Sequence, residues 1–225
     1  MFDGLFGSSI KTTMVAPEKA LPGRSVASFE VPVRHHVIDG PLDLSDNPLF
    51  STIYLGLGCF WGAEKELWQL PGVVTTAVGY QGGFTPHPTY EEVCTGRTGH
   101  TEVVRVTYDP LRLSDEELLR KFWEAHDPTQ GFRQGNDLGT QYRSAVYFTS
   151  EAQEQAARRT LEVFQEALSA HGYGAITTEI KPVSDGAATS GSAGEFYYAE
   201  PYHQQYLAKN PNGYCPVHST GVACS

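Results

Sequence analysis

The alternation of apolar and polar positions marks out a regular core between two irregular ends. Thr52 to Leu57 (TIYLGL) is an apolar run of strand length that Gly58 breaks. From Phe60 the apolar residues recur at 60, 63, 67 and 70, the spacing of one helical face, and Pro71-Gly72 stops them. Val73 to Tyr80 is β-branched and strand-like, and a long loop rich in Gly, Pro and Thr follows through His100. Glu102 to Tyr108 (EVVRVTY) alternates as a half-buried strand should. Ser114 with Glu117 is a capping-box signature ahead of the helix DEELLRKFWEAH. A second glycine-rich loop, Asp127 to Arg143, leads to a strand over Ser144 to Thr149. Ser150 with Gln153 repeats the box before a long helix ending near His171-Gly172, and Ala175 to Val183 reads as a further strand.

Strand, helix, strand, strand, helix, strand is the order of a split β-α-β, or ferredoxin-like, unit, here with an extra helix and strand appended. The pattern therefore predicts an α+β fold: a two-layer sandwich with a mixed sheet and its helices on one face, plus loop-rich N- and C-terminal extensions. Residues 1–48 carry scattered Pro and Gly, a His35-His36 pair and no sustained period, and read as an arm. Residues 49–214 form the main domain and 215–225 a tail. Ser184 to Gly194 (SDGAATSGSAG) reads as a flexible surface insertion. The two longest loops, 81 to 101 and 127 to 143, come from different parts of the chain, and loops held by a rigid sheet are where chemistry tends to sit.

Composition narrows the function classes. Of 225 residues, 16 are Lys or Arg against 26 Asp or Glu, a net charge of −10, which argues against polyanion binding and against an anionic membrane surface. No apolar run approaches bilayer length. The 4 cysteines, Cys59, Cys94, Cys215 and Cys224, are too few to staple a domain of this size. The N-terminal stretch MFDGLFGSSIKTTMVAPEKALPGR lacks the pattern of an export signal, so the expected home is a reducing cytoplasm. There, cysteines that matter tend to be catalytic, redox-active or metal-bound.

Cys59 stands where a predicted strand, a glycine and a helix start meet. Unpaired N–H groups and the positive end of a helix dipole would stabilise a thiolate at that position. The local sequence fits equally a small buried apolar side chain. Phe60 and Trp61 next to it supply apolar surface, either as core packing or as the wall of a pocket for a partly apolar ligand.

Gly58-Cys59-Phe60-Trp61-Gly62-Ala63-Glu64 resembles the GCFWG-x-E signature of the type A peptide methionine sulfoxide reductases. Three more blocks are similar to that family's, in the family's order: GYQGGFTPHPTYEEVCTGRTGHTEVVRVTYDP from Gly79, GFRQGNDLGTQYRSAVYF from Gly131 and YHQQYLAKNPNGYC from Tyr202. The resemblance runs from about residue 50 to 215. It implies thiol-dependent reduction of methionine S-sulfoxide, free or within oxidised proteins, as repair of oxidative damage. A thiolate then attacks the sulfoxide sulfur, the oxygen eventually leaves as water, and a neutral acid must protonate that oxygen. By motif position Cys59 is the nucleophile and Glu102, in the GHTE block, the acid. On its own residues Glu102 reads equally well as a charge on the exposed face of an amphipathic strand, and only an apolar pocket would keep its carboxyl neutral. The resemblance gives Tyr90 and Tyr142 the hydrogen bonds to the sulfoxide oxygen, Phe60 and Trp61 the substrate methyl group, and Asp137 a supporting place. Cys215 is implied as the thiol that resolves a Cys59 sulfenic acid, and Cys224 as the relay that passes the disulfide outward. Cys94 is expected to pack in the core. The resemblance further implies no bound cofactor or metal, thioredoxin or a similar dithiol as reductant and partner, and a monomer.

Two other readings carry different chemistry. Cys215, His218 and Cys224 with His203 would make a thiolate and imidazole metal site, although the spacing is not that of a C-x2-C pair. Cys59 with a base from His100 or His126 would make a cysteine hydrolase, which has no use for two cysteines near the C-terminus.

Overall fold

The computed structural model describes residues 11–214 and 218–224. Its elements run β1 (Ser51–Leu57), α1 (Phe60–Trp68), β2 (Val73–Gln81), α2 (Tyr90–Cys94), β3 (Thr101–Tyr108) and α3 (Asp115–Glu124). They continue through β4 (Arg133–Gln134), β5 (Asp137–Leu138), β6 (Ser144–Phe148), α4 (Glu151–Ala170), β7 (Glu179–Pro182), β8 (Tyr197–Tyr198) and α5 (Tyr206–Lys209). One six-stranded sheet has the order β7-β6-β1-β3-β2-β8, and β4 and β5 form a separate hairpin. Strand β3 lies between β1 and β2 and is antiparallel to both, the split β-α-β arrangement. β6 runs antiparallel to β1 while β7 is parallel to β6, so the sheet is mixed as expected.

The two faces of the sheet have different covers. Ile53, Leu55, Val104, Val106 and Val146 share a buried cluster with Leu67 of α1, Phe122 of α3 and Phe164 of α4. Alternate residues, Val103, Ala145 and Tyr147, point the other way and pack with Ala193 and Phe196. That second cover changes two expectations. Every residue of β3 is buried, so its alternation is not that of a half-exposed strand. The stretch 184–194 is exposed over 185–187 and 189–191, as a surface loop should be, but it is anchored: Ala188 and Ala193 are buried, the Ala193 N–H donates to Pro182 O at 2.9 Å, and the Gly82 N–H donates to Ala193 O at 3.0 Å. Small side chains let this segment lie close on the sheet, and the same smallness gives it a linker-like composition.

Local chemistry explains the remaining boundaries. The Ser114 hydroxyl caps α3 in a full capping box with Glu117. Ser150 caps α4 in the same way, but the Gln153 side chain bonds to Thr149 N and the box is half made. Within the loop 81–101, Thr89 and Glu92 form a third, complete box that starts α2. The strand expected over 175–183 shortens to β7 because the backbone at 176 and 177 bonds elsewhere, to Gln165 Oε1 at 2.7 Å and to Pro128 O at 2.9 Å. Among the described residues of the arm, Pro17–Lys19 form a short 3-10 turn, and the arm docks on the domain. His35 is buried with Nε2 2.9 Å from Thr76 Oγ1, and Arg24 pairs with Glu92 at 2.8 Å.

Candidate active site

The turn from β1 to α1 fixes the position of Cys59. Gly58 has φ of +93°, and a β-carbon there would stand 2.7 Å from Cβ of Gln134, so both backbone and space require glycine. Cys59 is the N-cap of α1, and the backbone N–H groups of Trp61 and Gly62 are directed at its sulfur. These N–H groups lower its pKa as the helix-start argument expects. Burial outweighs them, and the Glu102 and Asp137 carboxyls add to burial, so the thiol sits well above the usual cysteine range. In this state Cys59 is a protonated thiol and not the thiolate that its place in the chain suggests.

Glu102 begins the inner part of β3, in register with Tyr80 of β2. Its side chain is 1% exposed, and Oε2 accepts the Phe60 N–H of the first turn of α1 at 2.9 Å. Burial pushes the carboxyl from 4.5 up to about 8, Asp137 adds to the shift and the Phe60 N–H opposes it. A buried carboxyl beside a thiol is thus neutral at pH 7 and able to donate a proton. Tyr90 opens α2 immediately after its Thr89 cap, held by its N–H to Glu200 Oε1 at 2.8 Å. Tyr142 ends the 3-10 turn Thr140–Tyr142. Burial, then Glu102, raises both phenols, so each remains a neutral donor. Tyr90 is also hydrogen-bonded to Cys94, which is half-buried at the end of α2 beside this group and outside the core expected for it.

Trp61 is held on two sides. Its indole stacks on Tyr206 with centroids 3.8 Å apart, and Nε1 donates to His203 Nδ1 at 3.0 Å. Because the indole nitrogen only donates, His203 carries its own proton on Nε2, which lies 3.8 Å from Glu200 Oε2. Phe60 is deeper, 1% exposed between Tyr80 and His203, so it backs the wall while Trp61 fronts it. His203, Tyr206 and Glu200 were not singled out for this site from sequence. The signal was there in the block YHQQY, where a histidine and a tyrosine stand three residues apart.

Asp137 lies on β5, half-buried, and accepts the Tyr214 hydroxyl at 3.1 Å. Cys215 lies outside the described residues. Cys224 is 3% exposed in the cluster between α3 and α4, with its N–H on Glu124 Oε1 at 3.0 Å and its sulfur 3.8 Å from Thr160 O. A cysteine expected in a loose tail is packed, because its small apolar side chain fills the seam between two helices.

The hydrolase reading lacks its base. His100 and His126 are buried and lowered to about 4 by burial, and their ring nitrogens face Gly83 N, Thr85 O, Phe122 O and Ser144 Oγ. Among the described residues no group of three or more His, Cys, Asp or Glu side chains is gathered for a metal. Nor, among them, is any helix long and apolar enough to cross a membrane.

Comparison with known proteins decides the family. The family model described as peptide methionine sulfoxide reductase matches residues 51–223. The chain belongs to that family. It is 58% identical over 223 residues to peptide methionine sulfoxide reductase MsrA 1 of Synechocystis sp., covering 99% of this chain and 95% of the relative. It is 56% identical over 221 residues to MsrA of Corynebacterium kroppenstedtii, covering 98% of each. Among solved structures, methionine sulfoxide reductase A of Corynebacterium diphtheriae superposes with a TM-score of 0.81 at 52% identity, covering 94% of this chain and 98% of that one. Reduced Mxr1 from Saccharomyces cerevisiae does so at 0.65 and 34%, covering 83% and 98%. Like its relatives, this reductase carries the arm within the matched length.

Proposed function

We propose that this methionine sulfoxide reductase works through Cys59 as nucleophile and Glu102 as general acid, with the sulfoxide oxygen held by Tyr90 and Tyr142 and the substrate methyl group against Trp61, backed by Phe60. One observation carries the reading: a fully buried carboxyl, neutral at pH 7, bonded to the first turn of the helix that Cys59 caps. The Cys59 sulfur bonds to the substrate sulfur as Glu102 gives its proton to the oxygen, and the thiol proton restores the carboxyl. The products are the thioether and a Cys59 sulfenic acid, so the oxygen passes from one sulfur to the other and two electrons pass back. Neutral phenols suit the oxygen because they donate without a charge to desolvate. Asp137 supports the site through its field on Cys59 and Glu102.

Cys215 resolves the sulfenic acid, forming a disulfide with Cys59 and releasing the oxygen as water. Cys224 exchanges into that disulfide and leaves a 215 to 224 bridge for thioredoxin or a similar dithiol. Because Cys224 rests in the seam between α3 and α4, that exchange requires the tail to leave the seam. The test is one turnover of the reduced chain with methionine S-sulfoxide and no reductant. The reading expects one methionine per chain followed by loss of two thiols, and no methionine from Cys59→Ser. Stoichiometric methionine from Cys59→Ser would refute it.

A further inference from the structure

Glu64 is a buried carboxyl that takes no part in the chemistry above. It is 0% exposed on α1, three residues after Trp61, so the two side chains leave neighbouring points of one helix face. Three donors converge on it. The Thr76 hydroxyl at 3.0 Å and the Gln205 Nε2 at 2.7 Å reach Oε1, and the Gln205 backbone N–H reaches Oε2 at 2.8 Å. An amide in its place would accept through one atom and turn its own N–H group toward a donor on the other side; only a carboxylate accepts on both.

Gln205 is the residue this grip holds. Its φ of +48° and ψ of +42° lie in the left-handed region, which a residue with a side chain keeps only where its surroundings fix it. The chain turns there into α5, and the residues around the turn meet Trp61: His203 accepts the indole N–H at 3.0 Å and Tyr206 stacks on the ring at 3.8 Å. The Gln204 side chain ties the same turn to β2, accepting the Val78 N–H at 3.0 Å and donating to the Val78 carbonyl at 2.9 Å. The turn is therefore fastened to the sheet at 204 and to α1 at 205.

The arm reaches the same carboxyl by two routes. His35 Nδ1 accepts the Val37 and Ile38 N–H groups at 3.0 and 2.9 Å, so Nε2 carries the proton and donates to Thr76 Oγ1, whose hydroxyl then points at Glu64. The His36 N–H donates to Gln205 Oε1 at 3.1 Å, which leaves the other end of that amide facing Glu64.

We propose that Glu64 is a positioning residue for substrate binding: its buried carboxylate holds Gln205 in the left-handed turn that lays Tyr206 on Trp61. The proposal rests on the reading that the substrate methyl group lies against Trp61. With the turn held, the free protein already has the wall that takes the substrate. Without the carboxylate only a fraction of the chains has it at any moment, and the apparent affinity falls by that fraction while bound substrate reacts as before at Cys59 and Glu102.

The experiment is a series of quenched single turnovers of the full chain over a range of methionine S-sulfoxide concentrations, without reductant. The amplitude of methionine release counts folded, competent protein, the limiting rate reports the chemistry, and the half-saturating concentration reports the wall. Trp61→Leu is measured first; an unchanged half-saturating concentration there refutes the reading of Trp61 and the proposal with it. Glu64→Gln should raise the half-saturating concentration about 10-fold, with amplitude and limiting rate within about twofold of wild type. In a Tyr206→Leu chain the same substitution should add less than about twofold, because its effect passes through the Tyr206 ring. Gln205→Met keeps the carboxylate with its Thr76 and backbone donors and should give a rise of about threefold, so it decides the matter if Glu64→Gln does not fold. An unchanged half-saturating concentration in the folded variant overturns the proposal. So does a loss of amplitude alone, the mark of a merely structural role, or a 10-fold effect that persists undiminished in Tyr206→Leu.

Discussion

Replacing Glu102 by Gln keeps an acceptor for the Phe60 N–H and removes the proton donor, so activity and stability should move in opposite directions. General-acid catalysis contributes about 100- to 10,000-fold, and the burst of methionine should slow by that much. For stability, a carboxyl raised in the fold from 4.5 to about 8 favours folding below 4.5 and loses that advantage as the pH climbs toward 8, because ionisation is easier in the unfolded chain. At pH 7 the interval above the unfolded value is 7 − 4.5 = 2.5 units, at about 1.36 kcal/mol each a cost of about 3 kcal/mol that the neutral amide does not bear. At pH 5 the same cost is under about 1 kcal/mol. Urea unfolding of both proteins at the two pH values, beside quenched single turnovers, checks this. Glu102→Gln should be more stable than wild type by a margin that widens from pH 5 to pH 7. The burst rate of the wild-type chain should fall as pH rises through about 8. A Glu102→Gln burst within about threefold of wild type, or a stability difference that stays flat between the two pH values, would refute the reasoning.

Two further outcomes follow from the walls of the site and from the tail. His203→Ala leaves the Trp61 indole N–H without its 3.0 Å acceptor, so KM for methionine sulfoxide should rise about 10-fold; an unchanged KM would remove His203 from the site. Cys224 in the native reduced chain should react with a water-soluble disulfide reagent far more slowly than in urea, since burial hides its sulfur and raises its pKa. Glu124→Ala, which removes the acceptor for the Cys224 N–H, should speed that reaction several-fold, and equal rates in both proteins would show that Glu124 does not hold the tail.

Much of this arrangement was legible in the chain, and the exceptions have physical reasons. The strand at 52–57, the glycine break and the helix from Phe60 were readable because apolar period and turn chemistry agree there. The capping box at Ser114 was equally plain. The burial of Glu102 was not, because it shares the face of Val104 and Val106 and its cover includes the start of α1, whose Phe60 N–H bonds to its carboxyl, a tertiary approach that alternation along β3 does not record. The acidity of Cys59 went the other way from its helix position because burial, with the Glu102 and Asp137 carboxyls adding to it, outweighs two backbone N–H groups. The Thr89 and Glu92 box lay in the sequence unread, inside a stretch whose Gly and Pro content suggested loop alone. His203 and Tyr206 reach the site through a tertiary approach across more than 140 positions, as the bond between residues 61 and 203 records, and no local pattern announces it.

The central claim, that oxygen passes from substrate to Cys59 before any second thiol acts, is tested most directly in Cys215→Ser. After one turnover with methionine S-sulfoxide and no reductant, mass spectrometry of the intact protein and its peptides should find one added oxygen on Cys59, or its dimedone adduct, matched by one methionine released. Methionine released with Cys59 unmodified would contradict the account.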